Sequence, residues 1–221
     1  MLGFILSKLN LLILVTSIFA IVSFFALGLG DITKVKEAGE LATRVAEKTE
    51  SITKSSTYCD SSIYPFPPDL RTAGSRFYYV MKISKAKIER DNGAINVLIF
   101  SVYPREEIRK EKISNANYVA KAIASDSFRT DAQIYLYGLD YQGTGYGGTI
   151  TDSAPDGLEE IYIDPQAENP MNAIKMLKEI SNGKRNLYVL GCESQICDAW
   201  KTQIGEVVHP QVAGIGGGFN C

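Results

Sequence analysis

Between residues 9 and 30 the chain carries no charged side chain, and that run constrains the fold more than any other feature of its 221 residues. Only Asn10, Thr16, Ser17 and Ser23 are polar there; every other position is apolar or glycine. As a helix rising about 1.5 Å per residue, the run is roughly 30 Å long and matches the hydrocarbon thickness of a bilayer. A helix lying on a soluble core is apolar on one face, whereas this one is apolar all round. The expectation is a segment that spans a lipid bilayer or packs against copies of itself, with Leu11, Leu14, Ile18, Phe19, Val22 and Phe25 as contact residues. The competing reading is a cleaved signal peptide, with Lys8 as its basic region and small residues at Ala26, Gly28 and Gly30. The run exceeds the usual apolar region of about 7 to 15 residues, which favours retention.

Two signals disagree about which side of the membrane the rest of the chain occupies. Lys8 precedes the run while Lys34, Lys36 and Arg44 follow it, which places the following domain in the cytoplasm. The four cysteines, Cys59, Cys192, Cys197 and Cys221, point the other way. They form an even set with no histidine at metal-finger spacing, and disulfides persist outside the cytoplasm. The domain is therefore expected outside the cell membrane, or on an extracellular filament. Four cysteines allow three pairings, of which Cys192 with Cys197 and Cys59 with Cys221 is preferred.

Residues 31–54 place Val35, Ala38, Ala42, Val45, Thr49 and Ile52 at spacings of three and four, with charged residues on the remaining faces. This predicts an amphipathic helix, either a solvated stalk or a stripe packed on the domain or on neighbouring copies. No proline interrupts residues 1–64, so the apolar run and this helix can form one rod. Residues 55–75 hold Pro65, Pro67, Pro68 and several serines and predict an extended connection without regular structure. The division is thus a short leader (1–8), the apolar helix (9–30), the amphipathic helix (31–54), the connection (55–75) and a head domain (76–221).

Within the head, residues 77–89 and 95–103 flank Asp91-Asn92-Gly93 and predict a β-hairpin. Residues 114–125 carry Ala116, Ala120, Ile123 and Ala124 on one helical face. Residues 133–139, 160–163 and 187–190 read as strands. A helix is expected to begin at Asn169-Pro170, to bury Met171, Ile174, Leu177 and Ile180, and to close at Asn182-Gly183. Another is expected over residues 194–204, with Trp200 facing inward. The predicted class is α+β, one mainly antiparallel sheet with two or three helices.

Composition excludes several functions. With 45% hydrophobic and 22% charged residues and a net charge of −2, the chain is neither disordered nor polybasic, so no nucleic-acid partner is expected. One histidine precludes a multi-histidine metal site within one chain. Gly143, Gly145 and Gly148 have dinucleotide-loop spacing, but Asp152, Ser153, Pro155 and Gly157 follow where a helix must start. Asp152, Asp156, Glu159 and Glu160 lack the calcium-loop spacing. Cys192 and Cys197, with His209 as base, could form a thiol site, but their spacing is not C-x-x-C and crosslinking explains them better. No cofactor, metal or catalytic residue is expected.

An N-terminal apolar helix running into an amphipathic half, then a sheet-containing head with cysteines towards the C-terminus, resembles the type IV pilin-like proteins, including archaeal filament subunits. Gly3-Phe4 looks like the peptidase cleavage point of that family, and Lys8 stands where bacterial members carry a glutamate. The resemblance implies a non-enzymatic structural subunit whose helices bundle in a filament core while the heads form its surface. The alternative is a single-pass surface protein whose head binds a ligand or partner protein through residues 143–148 and exposed tyrosines. An enzyme of another class is the weakest reading.

Overall fold

The computed structural model describes residues 2–72, 75–90, 93–113, 118–138, 158–167, 171–181, 183–193 and 197. The first element is one uninterrupted helix, α1 (Leu2–Lys54), of 53 residues and therefore about 80 Å long. Its second half gains support from ion pairs one turn apart, Lys36–Glu40 at 3.9 Å, Arg44–Glu40 at 2.7 Å and Lys54–Glu50 at 2.5 Å.

Among the described residues, ten strands and one short helix follow: β1 (Cys59–Pro65), β2 (Leu70–Thr72), β3 (Ser75–Phe77), β4 (Tyr79–Arg90), β5 (Gly93–Pro104), α2 (Arg105–Ile113), β6 (Ala124–Thr130), β7 (Gln133–Tyr137), β8 (Glu160–Ile163), β9 (Ala173–Ser181) and β10 (Lys184–Cys192). They build two four-stranded sheets, in the orders β6-β5-β4-β8 and β1-β9-β10-β7, and a small β2-β3 ladder. The class is α+β, but the expected single sheet is in fact several. Only α2 joins α1 as a helix among the described residues. Pairing is antiparallel throughout except between β7 and β10.

The predicted hairpin forms as β4–β5, in register from Tyr79 opposite Pro104 to Arg90 opposite Gly93. The predicted helix over 169–183 is instead strand β9. It lies between β1 and β10 with both faces buried, so its apolar residues come in adjacent pairs, Ala173-Ile174 and Met176-Leu177. Pairs separated by lysines repeat every three residues and mimic a helical stripe.

The helix expected over 114–125 is also displaced. Helix α2 precedes it, and β6 begins at Ala124. Glu106 and Glu107 suit the first turn of α2 and pair with Arg109 and Lys110. Its buried apolar side chain is Ile108, packed near Val80, Ala120 and Tyr162, so the sequence carries little periodic signal. The proline-rich stretch is not irregular throughout: β1 lies within it and pairs along β9. The expected helix over 194–204, with Trp200, falls outside the described residues.

The main core joins Leu41, Val45 and Ile52 of α1 to Ile83 and Phe100 of one sheet and Ile174, Met176 and Leu187 of the other. The sheets meet where Leu158 donates its N–H to the Leu136 carbonyl, at 2.8 Å. Nearby, a Cβ on Gly191 would lie 2.8 Å from Ile163 Cδ1 and 3.0 Å from Met171 Sδ. A side chain there would require the tips of Ile163 and Met171 to move aside.

The buried end of α1 is capped from the second sheet. Lys178 on β9 is fully buried, and its Nζ donates to the carbonyls of Ser55, at 2.6 Å, and Thr57. A cation there meets the negative end of the helix dipole and the carbonyls left unpaired after the last turn.

Candidate functional site: the uncovered half of the long helix

Helix α1 changes environment along its length. Leu11, Leu14, Ile18, Phe19, Val22 and Phe25, the expected contact residues, are all more than half exposed, with Phe19 at 74%. No other part of the described chain covers the apolar span. The chain thus carries one helix near its N-terminus that is long and apolar enough to cross a membrane.

Uncovered leucine and phenylalanine over several turns in a row make an apolar surface far beyond the scattered exposure of ordinary surfaces. Thr16 does not interrupt it, because its hydroxyl donates to the carbonyls of Leu12 and Ile13, one turn back. Gly28 and Gly30 remain helical, and a Cβ at either would meet nothing within 4 Å. Small residues at these positions therefore answer to no packing among the described residues.

The second half is a core element. Ala38, Ala42 and Val45 are completely buried, and Ile52 is 4% exposed. Val35, assigned by its spacing to the same stripe, is 51% exposed, as Ile32 is at 65%. The stripe therefore engages the sheets only from Ala38 onward. Spacing alone missed Leu41, Ala46 and Thr53, which widen the buried face, and Thr49 Oγ1 reaches Met176 Sδ on β9 at 3.0 Å.

The preferred Cys192–Cys197 disulfide is present, with a Cα–Cα distance of 5.3 Å. Cys59 is also disulfide-bonded. Cys221 lies outside the described residues, as do the glycines of 143–148, Asp152, Asp156 and His209. Glu159 and Glu160 face Lys85 and Lys82 as ion pairs.

Three buried tyrosines act as neutral donors. Burial pushes the Tyr79 phenol far up, and its hydroxyl donates to the Pro67 carbonyl at 2.7 Å. Burial does the same to Tyr162, whose hydroxyl donates to Glu160 at 2.7 Å, and to Tyr188 beside Glu179. Phenols held protonated in this way fasten the fold as hydrogen-bond donors.

Comparison with known proteins returns no matching family model, no matching curated protein and no matching solved structure.

Proposed function

We propose that this chain is a non-enzymatic, membrane-anchored structural subunit. The uncovered half of α1 sits in lipid and, on assembly, packs against the same half of other copies, in the manner of pilin-like filament subunits. The observation that carries this reading is the contrast within one unbroken helix, apolar and bare over residues 9–25 and buried from Ala38 onward. A rigid continuation into the core transmits the position of the anchor directly to the head, as a structural subunit requires. The head stands outside the cytoplasm in this reading, in keeping with its disulfides.

Electron microscopy of native cell surfaces combined with mass spectrometry of the mature N-terminus tests it. Filaments containing this chain, with an N-terminus at Phe4, are the expected result. An intact Met1 with only monomers in the membrane overturns the polymerisation and leaves the single-pass surface protein.

A further inference from the structure

The inner face of the head changes character at one end. Along β4, Tyr79, Met81 and Ile83 are fully buried core residues. Strand alternation places Lys85 and Lys87 next on that same inward face. On β5 the core residues Phe100 and Leu98 give way to Asn96, which is paired directly with Lys87. On β10 the core residues Val189 and Leu187 give way to Arg185. The two sheets therefore part around a polar cleft of about 710 Å³, lined also by Asp131, Glu159 and Lys184. Its size falls in the range of small-molecule sites.

Charge in the cleft is unbalanced: Lys85, Lys87, Lys184 and Arg185 stand against Asp131 and Glu159. The carboxylates lie at the rim. Arg185 Nη1 meets Asp131 at 3.0 Å, and Lys85 Nζ meets Glu159 at 3.5 Å, while the acid side chains are 75% and 82% exposed. The Lys85 side chain, at 17%, is well sheltered. Lys87 and Lys184 have no ion pair among the described residues. The floor is held in shape by the Asn96 side-chain amide, which donates to the Ala132 carbonyl at 2.7 Å.

The cleft also faces away from the anchor. Ile180, opposite Arg185, donates its N–H to Tyr58, just beyond the capped end of α1. From residue 30 to that end, α1 covers about 36 Å at 1.5 Å per residue.

We propose that this cleft binds a small ligand bearing several oxyanion groups, whether carboxylate, phosphate or sulfate. Lys85 is sheltered, and Lys87, Lys184 and Arg185, exposed at the mouth, add three more cations around the same cleft, so an anion entering it meets charge-assisted hydrogen bonds from several sides at once. The site stands independently of filament assembly.

The test is isothermal titration of the full-length protein in a non-ionic detergent with citrate, pyrophosphate and sulfate in separate arms, and with a neutral disaccharide as control. Saturable binding of at least one anion, weakening as salt rises, is expected. The arms identify which oxyanion is preferred. Replacing both exposed lysines, Lys87→Ala with Lys184→Ala, should weaken binding about tenfold, while Arg76→Ala on β3 should leave it within about twofold. Absence of saturable binding by all three anions at millimolar concentration overturns the proposal. So does an equal loss in the Arg76 variant, because the attraction would then be general rather than local.

Discussion

The two halves of α1 share one backbone and almost no chemistry. The first half is leucine, isoleucine, valine and phenylalanine on every face, and none of the described head residues covers it. The second half carries charge on its outer face, and its inner face consists largely of small residues, Ala38, Ala42 and Ala46 among them, with Leu41, Val45 and Ile52. A helix that must be covered by its own domain needs a narrow apolar stripe and small side chains for close approach to a sheet. One that will be covered by lipid or by its own kind needs apolar bulk all round. Under the proposed reading, the difference gives stability to one half and attachment to the other, and substitutions can test that division.

The largest effect is expected where the second half ends. Lys178→Met removes the cation that satisfies the Ser55 and Thr57 carbonyls and should lower head stability by about 3 kcal/mol or more. Chemical denaturation followed by circular dichroism measures it, and a loss below about 1 kcal/mol would mean that those carbonyls are otherwise satisfied.

Next comes the direct contrast between the halves. Leu41→Ala empties a site that is 4% exposed and should lower stability by about 2–4 kcal/mol. Phe19→Ala removes a larger side chain and should leave unfolding of the head within about 0.5 kcal/mol of the parent. Similar losses from both would break the division.

Alkali should act on the head alone. The phenols of Tyr79, Tyr162 and Tyr188 are raised by burial, so the folded chain keeps protons that the unfolded chain releases. The stability they contribute is complete below the unfolded phenol value near 10 and declines as pH rises above it. A pH series of melting temperatures should therefore fall from about pH 10 upward, and Tyr79→Phe should flatten the fall.

The smallest effect is a gain. A Cβ on Gly39 would meet Ala124 Cβ at 3.9 Å, an ordinary contact. Gly39→Ala should thus stabilise the head by up to about 1 kcal/mol through helix propensity. A destabilised variant would show that α1 and β6 lie closer than this.

Legibility in the sequence followed how local the cause of each element is. The apolar run and the Asp91-Asn92-Gly93 hairpin announce themselves because their signals lie within the element. Strand β9 was not legible because a central strand buried on both faces loses its alternation, and its identity depends on β1 and β10, which are remote in sequence. Helix α2 was hidden by its polar surface. Lys178 reads as an ordinary surface lysine until the fold brings it to Ser55, 123 residues away. The cleft was illegible for the same reason: its cations are scattered over β4 and β10, and only the sheet register brings Lys85, Lys87 and Arg185 around one cleft. Of the expected contact surface, the bare half was readable from composition, but the boundary at Ala38 needed the structure.

The most direct measurement replaces Phe19 with a photo-reactive phenylalanine in the full-length chain and identifies what it captures in intact cells. The predicted products are lipid adducts and crosslinks to the same segment of a second copy. Recovery of a mature chain that begins beyond residue 30, with no adduct at position 19, would contradict the anchoring role of the uncovered helix.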